Sequence, residues 1–388
     1  MSDSLLEEPQ NLSRRNWLKM AGLGASAMSA AGFISACAQQ SAEAADAIGE
    51  PNKDALAILS SNENPFGPSP KAIEAMKGEL GNIYRYTYPS LVKLGEQIAA
   101  KEDVSPDEVI IANGSTPLLA TFSLWAKQND KTIITSALTY EGVPRVAEAF
   151  GVPVSYTPTK PDLGYDLEAI AAQVKPGTCV YLCNPNNPTG KTMDPAELDA
   201  FMDEVSAKVP VFVDEAYLDM ADDYPAGVMT KYVRMGRPVI VARTFSKIYA
   251  MAGQRVGYAL LPTDMRNEMM GYGHLSNVNK LGIVAASAAL ADTAYFEEMR
   301  LKTKLGREKL IAMAKDLGRP IAENPQGSFI YMDLGMNNAE FAAKMLEKGV
   351  RVVGARWSEK PEWTRICVGL DHEIEKCHAA AKDILTSI

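Results

Sequence analysis

The sequence predicts an α/β fold in which a mostly parallel sheet of seven strands carries helices on both faces, followed by a smaller α+β region. Short apolar runs alternate with segments of helical periodicity, a pattern typical of consecutive strand and helix units. Polar residues directly follow several of the apolar runs. A length of 388 residues with 47% hydrophobic residues is enough for a large core and a second domain.

The apolar runs set the predicted order of elements. Strands are predicted near residues 109–112, 132–134, 152–156, 179–183, 211–214, 239–243 and 257–261. After about residue 276 the pattern predicts helices and a smaller sheet that includes 328–333 and a strand through Arg365. The predicted domains are a leader (1–38), a linker and N-terminal arm (39–58), a large domain (59–275) and a small domain (276–388). The first residues of the large domain are expected to pack with the small one.

A lysine between small hydroxyl residues is the first candidate for chemistry. Thr244-Phe245-Ser246-Lys247 is followed, after a short loop, by Arg255. Such a lysine can form a Schiff base with an aldehyde while the hydroxyls and the arginine bind that aldehyde's phosphate, which describes a pyridoxal phosphate site. A surface lysine in a serine-containing turn is the alternative.

Two further segments precede this lysine in an informative order. The apolar run 211–213 ends in Asp214, and ligands of open α/β sheets lie beyond the carboxyl ends of strands. An acid there can keep a pyridine nitrogen protonated, and Tyr217 can reach the ring oxygen. Upstream, the strand at 179–183 leads into the loop Asn184–Gly190, whose asparagines can donate hydrogen bonds to a cofactor. Each segment alone also fits a helix cap or a turn.

Together these segments resemble the class I/II aminotransferases of fold type I, most closely the histidinol-phosphate aminotransferase subgroup. The likeness runs from about Leu59 to Gly369 and includes Asn62-Glu63-Asn64-Pro65, Arg85-Tyr86 and Arg365-Ile366-Cys367-Val368-Gly369. It implies a fold type I large domain whose last strand is antiparallel. It also implies an aminotransferase that uses pyridoxal 5'-phosphate.

The resemblance also implies the site residues. Lys247 would bind the cofactor as a Schiff base and move protons, Asp214 would pair with the ring nitrogen, and Tyr217 would flank the ring oxygen. The implied cofactor-binding set is Gly114, Ser115, Thr116, Tyr140, Asn187, Asp214, Tyr217, Thr244, Ser246, Lys247, Arg255 and Tyr86. Arg365 and Asn64 would bind the substrate, with Arg365 on its α-carboxylate.

Several of these assignments have alternatives. Tyr86 resembles a residue that reaches the phosphate of a neighbouring subunit, which predicts a homodimer, but Tyr84 or Tyr88 is close enough to take its place. Tyr140 would stack on the cofactor, or be an exposed loop residue. Arg365 would clamp a carboxylate, or form a surface salt bridge.

Departures from the subgroup affect the substrate. No tyrosine lies between Cys37 and Ser61, and neither Arg351 nor Arg356 aligns with the subgroup's second arginine. Ser328 stands where the subgroup usually has asparagine. Because phosphate contacts are lost, we expect faster turnover of a neutral or aromatic amino acid than of histidinol phosphate, with 2-oxoglutarate as an example of the acceptor.

Other functions use the same features. A pyridoxal phosphate lyase, decarboxylase or cyclase would share the cofactor site, although retention of Arg365 favours transamination. A non-catalytic amino-acid-binding protein is a third hypothesis. A net charge of -9 argues against a nucleic-acid surface, and the spacing of Cys and His predicts no metal site.

The first residues predict export. Ser13-Arg14-Arg15-Asn16-Trp17-Leu18-Lys19 resembles a twin-arginine motif, and an Ala/Gly-rich segment follows to Ala36. Cys37 ends a sequence that resembles a lipobox, so a lipid anchor is predicted, with ordinary cleavage nearby as the alternative. The protein would then be periplasmic or membrane-anchored, and otherwise cytoplasmic.

Overall fold

The computed structural model describes residues 55–272 and 275–386. The predicted leader, Cys37 and most of the predicted linker lie outside these residues. The helices are α1 (Pro70–Glu79), α2 (Tyr88–Glu102), α3 (Thr116–Gln128), α4 (Pro144–Ala149), α5 (Leu167–Ala171), α6 (Pro195–Val205), α7 (Thr230–Arg234), α8 (Thr263–Met270), α9 (Lys280–Leu290), α10 (Thr293–Asp316), α11 (Asn338–Glu347) and α12 (Asp371–Leu385). The strands are β1 (Ala57–Ile58), β2 (Val109–Ala112), β3 (Thr132–Ser136), β4 (Val154–Thr157), β5 (Thr178–Cys183), β6 (Val211–Asp214), β7 (Val239–Thr244), β8 (Gly257–Leu260), β9 (Phe329–Asp333), β10 (Val350–Arg351) and β11 (Trp363–Cys367).

The large sheet has seven strands in the order β2-β8-β7-β6-β5-β3-β4. The pairs from β4 to β7 are parallel, whereas β8 is antiparallel to both β7 and β2. The predicted mostly parallel sheet and its antiparallel last strand are therefore confirmed. Parallel strands direct their carboxyl ends to one edge, which places the ends of β5, β6 and β7 side by side.

The central strands are buried on both faces because helices cover both sides. In β6 all four residues are buried. Val211 and Val213 pack into the core cluster on one side, and Phe212 packs into the cluster on the other. This alternation is the two-residue period of a strand, and it explains why the run is apolar throughout.

A second, smaller core surrounds two short sheets. β9 and β11 are antiparallel, with Arg365 opposite Tyr331, and β1 pairs in parallel with β10. Ala57 and Leu59 belong to this core together with residues of α12. The side chains of Val278 and Ile283, by contrast, contribute to the core of the large sheet. The domain boundaries proposed from the sequence stay predictions.

None of the helices within 55–272 and 275–386 has the length and apolar character that crossing a membrane requires.

Candidate active site

A cavity of about 370 Å³ opens at the carboxyl ends of β5, β6 and β7. The loop after β5, the last residue of β6 and the turn after β7 all contribute to its lining. The lining residues are Ser60, Ser61, Asn62, Glu63, Ser115, Thr116, Tyr140, Asn187, Asp214, Ala216, Tyr217, Thr244, Ser246, Lys247, Ala252, Arg255, Arg356 and Arg365. The fold thus gathers side chains that are far apart in sequence.

Lys247 is the amine of this cavity. Its Nζ donates to the carbonyl oxygen of Ser61 at 3.3 Å and lies 5.6 Å from the centre of the Tyr217 ring. Burial, and next the positive charge of Arg365, lower the pKa of Lys247 to about 8. A lysine with a lowered pKa has a larger share of neutral amine near neutral pH, and this is the form that attacks a carbonyl group.

Asp214 ends β6 with its side chain 3% exposed. Its Oδ1 accepts from the backbone N–H of Ala216 at 3.1 Å, and its Oδ2 accepts from the Tyr181 hydroxyl at 3.5 Å. Burial raises the pKa of Asp214 to about 6. A buried ionised carboxylate is costly and the charge of Lys247 offsets only part of that cost, so a ligand that brings a protonated ring nitrogen would relieve more of it.

Hydroxyl groups, a guanidinium group and a helix start meet at one end of the cavity. Ser246 Oγ accepts from Thr244 Oγ1 at 3.0 Å and from Arg255 Nη1 at 3.3 Å. Ser115 caps α3 without a side-chain capping bond, and Ser115 and Thr116, at the start of this helix, both line the cavity. Helix starts and arginines bind phosphate through these donors.

Gly114 makes room for this cup. Its φ is +80°, and a Cβ built there would lie 2.2 Å from Nη2 of Arg255. Gly257 is equally restricted, because its Cβ would lie 2.6 Å from the backbone nitrogen of Ser115. Gly114 itself does not line the cavity, so its role is to let the arginine pass close to the backbone.

Arg365, a residue of β11, lines the cavity and is 3% exposed. Its Nη1 donates to Asn187 Oδ1 at 2.6 Å, and its Nη2 donates to the Ser60 carbonyl oxygen at 2.6 Å. The rings of Phe329 and Trp357 lie 5.4 and 5.5 Å from its guanidinium carbon. Nε is buried without an acceptor within the described chain. An anionic ligand would supply that acceptor and offset the buried charge.

The structure therefore brings ten of the predicted residues to the cavity together with the lysine: Ser115, Thr116, Tyr140, Asn187, Asp214, Tyr217, Thr244, Ser246, Arg255 and Arg365. It does not place Asn64 there. The Asn64 amide donates to the Ile248 carbonyl oxygen at 2.9 Å, so it supports the turn after the lysine. Tyr86 is 98% exposed and lies outside the cavity of its own chain.

Sequence reasoning did not select several lining residues. Asn62, Glu63 and the two serines before them come from the segment after β1, and Arg356 comes from the segment before β11. Asn62 and Asn64 belong to the same motif, Asn62-Glu63-Asn64-Pro65. Only Asn62 lines the cavity, and it has a left-handed backbone, at φ 52°, which the sequence pattern does not predict.

The cavity fits pyridoxal 5'-phosphate in three respects. It has a lysine with a lowered pKa, a buried acid, and a cluster of hydroxyl and guanidinium groups that suits a phosphate group. The orphaned Nε of Arg365 adds a place for a substrate anion. The large sheet and this cavity define the class of fold type I pyridoxal phosphate enzymes.

Comparison with known proteins identifies the family. The chain matches the family described as aminotransferase class I and II over residues 55–384 and belongs to it. Histidinol-phosphate aminotransferase of Moorella thermoacetica is 34% identical over 331 residues, which cover 84% of this chain and 85% of that protein. Histidinol-phosphate aminotransferase 2 of Pseudomonas fluorescens is 35% identical over 318 residues, which cover 81% and 85% respectively.

A solved structure agrees with this family. The crystal structure of histidinol-phosphate aminotransferase from Sinorhizobium meliloti in complex with pyridoxal-5'-phosphate has a TM-score of 0.78 at 26% identity, covering 86% of this chain and 91% of that chain. The protein is accordingly a pyridoxal-phosphate-dependent aminotransferase. When bound, the cofactor supplies an electron-withdrawing ring that stabilises negative charge on the carbon that bears the substrate's amino group.

Proposed function

We propose that this enzyme transfers an amino group between an L-amino acid and a 2-oxo acid such as 2-oxoglutarate, at the cavity that contains Lys247. The observation that carries the proposal is Arg365, a buried guanidinium with a free Nε in the same cavity as the amine. A planar guanidinium matches a carboxylate, the group shared by amino acids and 2-oxo acids.

The residue roles follow from the geometry. Lys247 would hold the cofactor and then move a proton at its Nζ, since its lowered pKa lets it give and take protons near neutral pH. Asp214 would keep the ring nitrogen protonated, and Asn187 and Tyr217 would flank the ring oxygen. Ser115, Thr116, Thr244, Ser246 and Arg255 would bind the phosphate.

The surroundings of Arg365 favour a neutral or aromatic donor. The ring of Trp357 lies 5.5 Å from the guanidinium carbon of Arg365 without lining the cavity, and Tyr140 lines the cavity itself. Arg351 is exposed and lies outside the lining residues. Ser328 is buried and also outside them. The aromatic residues that do line the cavity, Tyr140 and Tyr217, offer apolar contact and add little selectivity for a phosphate group.

A phosphate-bearing amine such as histidinol phosphate is the second candidate, and one observation favours it. Arg356 reaches the cavity lining, where it would add a second positive charge beside Arg365. Its Nε lies 3.6 Å from Glu141 Oε1, so part of that charge is already offset. The named relatives act on histidinol phosphate according to their names.

A single-turnover donor screen tests the two candidates. Enzyme loaded with pyridoxal 5'-phosphate is mixed with phenylalanine, leucine, glutamate or histidinol phosphate, and the change in cofactor absorbance is followed. We expect the neutral and aromatic amino acids to react faster than histidinol phosphate. Selective, fast reaction of histidinol phosphate that falls in Arg356→Gln, but not in the exposed control Arg351→Gln, would establish the second candidate instead.

Other reactions of the same cofactor give different products. A decarboxylase must leave the substrate carboxylate free to depart. Here two hydrogen bonds, to Asn187 and to the Ser60 carbonyl oxygen, fix Arg365 at the proposed carboxylate site. We therefore expect the donor to appear as its 2-oxo acid, with the amino group recovered on 2-oxoglutarate. Release of carbon dioxide, ammonia or a cyclised product in stoichiometric amounts would contradict this assignment.

We propose that the enzyme is a homodimer in which Tyr86 reaches the phosphate of the partner's site. Proteins of this family are typically dimers. Around Tyr86 lies a patch of exposed apolar side chains, which a monomer would leave in water: Leu80, Ile83, Tyr84, Tyr88 and Val92.

Mixed dimers test the shared site. Lys247→Ala and Tyr86→Phe chains are combined, so that one of the two sites in a mixed dimer receives an intact lysine and an intact tyrosine from different chains. We expect activity above that of either variant alone. If mixing restores nothing although mixed dimers form, Tyr86 does not act across the interface.

We propose further that the twin-arginine-like segment directs export and that Cys37 carries a lipid. Support comes from the order of Arg14-Arg15, the Ala/Gly-rich segment and Cys37 in the sequence. The full chain is expressed in a bacterium with this export route, beside a variant with both arginines changed to lysine, and the cells are fractionated. We expect export only of the parent chain, with a lipid mass on Cys37. Equal retention of both chains in the cytoplasm would refute export.

A further inference from the structure

Two hydrogen bonds join Asn62 to Cys367, and a third joins Asn62 to the hydroxyl group of Tyr217. The backbone N–H of Asn62 donates to Cys367 Sγ at 3.2 Å, and the thiol donates back to Asn62 Oδ1 at 2.9 Å. The Nδ2 of Asn62 then donates to the Tyr217 hydroxyl oxygen at 2.8 Å. The three side chains are all buried, and Asn62 has a left-handed backbone with φ 52°.

The pair fixes which way each hydrogen bond runs. The sulfur of Cys367 accepts from the backbone N–H of Asn62, and the thiol donates its own proton to the amide oxygen of Asn62. The amide nitrogen must then face Tyr217, and an amide nitrogen only donates. The Tyr217 oxygen therefore accepts this bond. No acceptor among residues 55–272 and 275–386 takes the tyrosine's proton, which leaves that proton free for the cavity.

A hydrogen bond from Arg365 orients the side-chain amide of Asn187 in a similar way. Its Oδ1 accepts from Arg365 Nη1 at 2.6 Å, so its Nδ2 remains as a donor. Tyr217 and Asn187 both line the cavity that contains Lys247. The chain thus presents two hydrogen-bond donors at the place proposed for the cofactor's ring oxygen.

We infer that Asn62 and Cys367 are positioning residues that hold Tyr217 as a hydrogen-bond donor towards the cofactor's ring oxygen. The inference rests on the proposed site around Lys247. It goes beyond that site, because Cys367 does not line the cavity and Asn62, which does, would act through its hydrogen bond to Tyr217.

A measurable consequence follows for the loaded enzyme. A hydrogen-bond donor to the ring oxygen would disperse the negative charge on that oxygen. Without the donor, the full charge would attract the proton on the nitrogen of Lys247 more strongly. Reversing the Tyr217 hydrogen bond should therefore make that proton harder to remove. The pH midpoint of the cofactor's visible absorbance should rise by about one pH unit, the size expected for one lost charge-assisted hydrogen bond.

Two variants reverse or release the bond without removing Tyr217. In Asn62→Asp, a carboxylate of the same shape can only accept, so Tyr217 should donate to it and not to the ring. In Cys367→Ala, the amide loses the group that orients it, and no charge is added. We expect an upward midpoint shift in both, larger for Asn62→Asp, and a near-normal midpoint in Cys367→Ser, whose hydroxyl can also accept and donate.

A double-mutant cycle separates positioning from a general structural effect. If Cys367 acts through Tyr217, Cys367→Ala should cause no further shift in a Tyr217→Phe background. Cys377→Ala removes another fully buried thiol, on α12 in the second core, and should leave the midpoint unchanged even if it lowers the unfolding temperature.

The outcomes distinguish this inference from the proposed site. A parent enzyme whose cofactor absorbance does not change with pH, and which borohydride does not fix to Lys247, would overturn both. If the parent titrates normally but Asn62→Asp and Cys367→Ala keep its midpoint, only the positioning role is wrong. The same holds if Cys367→Ala gives an equal shift with and without the tyrosine hydroxyl.

Discussion

Replacing Asp214 with asparagine should stabilise the cofactor-free protein while weakening the cofactor-bound one. Burial raises the pKa of Asp214 from its ordinary value of 3.8 to about 6. One pKa unit corresponds to about 1.4 kcal/mol, so the ionised carboxylate lowers the free energy of unfolding by roughly 3 kcal/mol above pH 6. Asparagine retains an oxygen for the Ala216 N–H and removes the charge.

The sign depends on pH. Between about pH 4 and pH 6 the folded state binds the Asp214 proton and the unfolded state does not, so the stability of the cofactor-free parent falls as the pH rises through this window. The variant has no such proton. We therefore expect Asp214→Asn to be more stable than the parent by about 1 to 3 kcal/mol at pH 8, and the difference to shrink towards pH 4.

Urea unfolding of cofactor-free protein at several pH values measures this difference. Asp223→Asn, at an exposed position, serves as the control and should change little. Adding pyridoxal 5'-phosphate should reverse the order, because only the parent offers a carboxylate to the protonated ring nitrogen. If the cofactor-free Asp214→Asn protein is less stable than the parent at pH 8, the buried charge of Asp214 does not destabilise the cofactor-free protein.

Three further variants test other parts of the site. Gly114→Ala should weaken binding of pyridoxal 5'-phosphate at least about tenfold, because the added methyl group crowds the proposed phosphate site. The control Gly177→Ala, at a similar φ but with open space around it, should not weaken binding. Equal affinities of the two variants in a fluorescence titration would contradict this. Arg365→Gln should lower kcat/KM for the amino donor about 10- to 150-fold through the lost carboxylate contact, and the exposed control Arg351→Gln should leave it unchanged. Lys247→Ala should lose turnover and borohydride fixation of the cofactor, and mass spectrometry that finds the cofactor fixed elsewhere would refute the assignment.

Much of the fold was accessible from the sequence because buried parallel strands leave a strong local signal. The runs at 179–183 and 211–214 are apolar on both faces, and the structure buries every residue of β5 and β6. The ends of strands leave a weaker signal in the sequence than their buried centres do. The run predicted at 152–156 became β4 at Val154–Thr157, since edge strands are only partly buried and their ends depend on neighbouring contacts.

The site was predictable where a residue type is tied to a strand end. Asp214 ends β6 and Lys247 lies in the turn after β7, so their sequence order places them at one edge of the sheet. Asn64 shows where this reasoning fails. It shares a motif with Asn62, but Asn62 has a left-handed backbone and donates to Tyr217, whereas Asn64 donates to the Ile248 carbonyl oxygen.

The sequence by itself determined the parallel sheet, the cofactor lysine and the acid at the end of β6, because these depend on local hydrophobic patterns and on the order of motifs along the chain. Only the tertiary structure decided that Asn62, Cys367 and Tyr217 touch, and that Arg365 meets Asn187. Those contacts join positions up to 305 residues apart in sequence. Their partners and directions are set by how the second core packs against the ends of the large sheet, and a one-dimensional pattern does not contain that information.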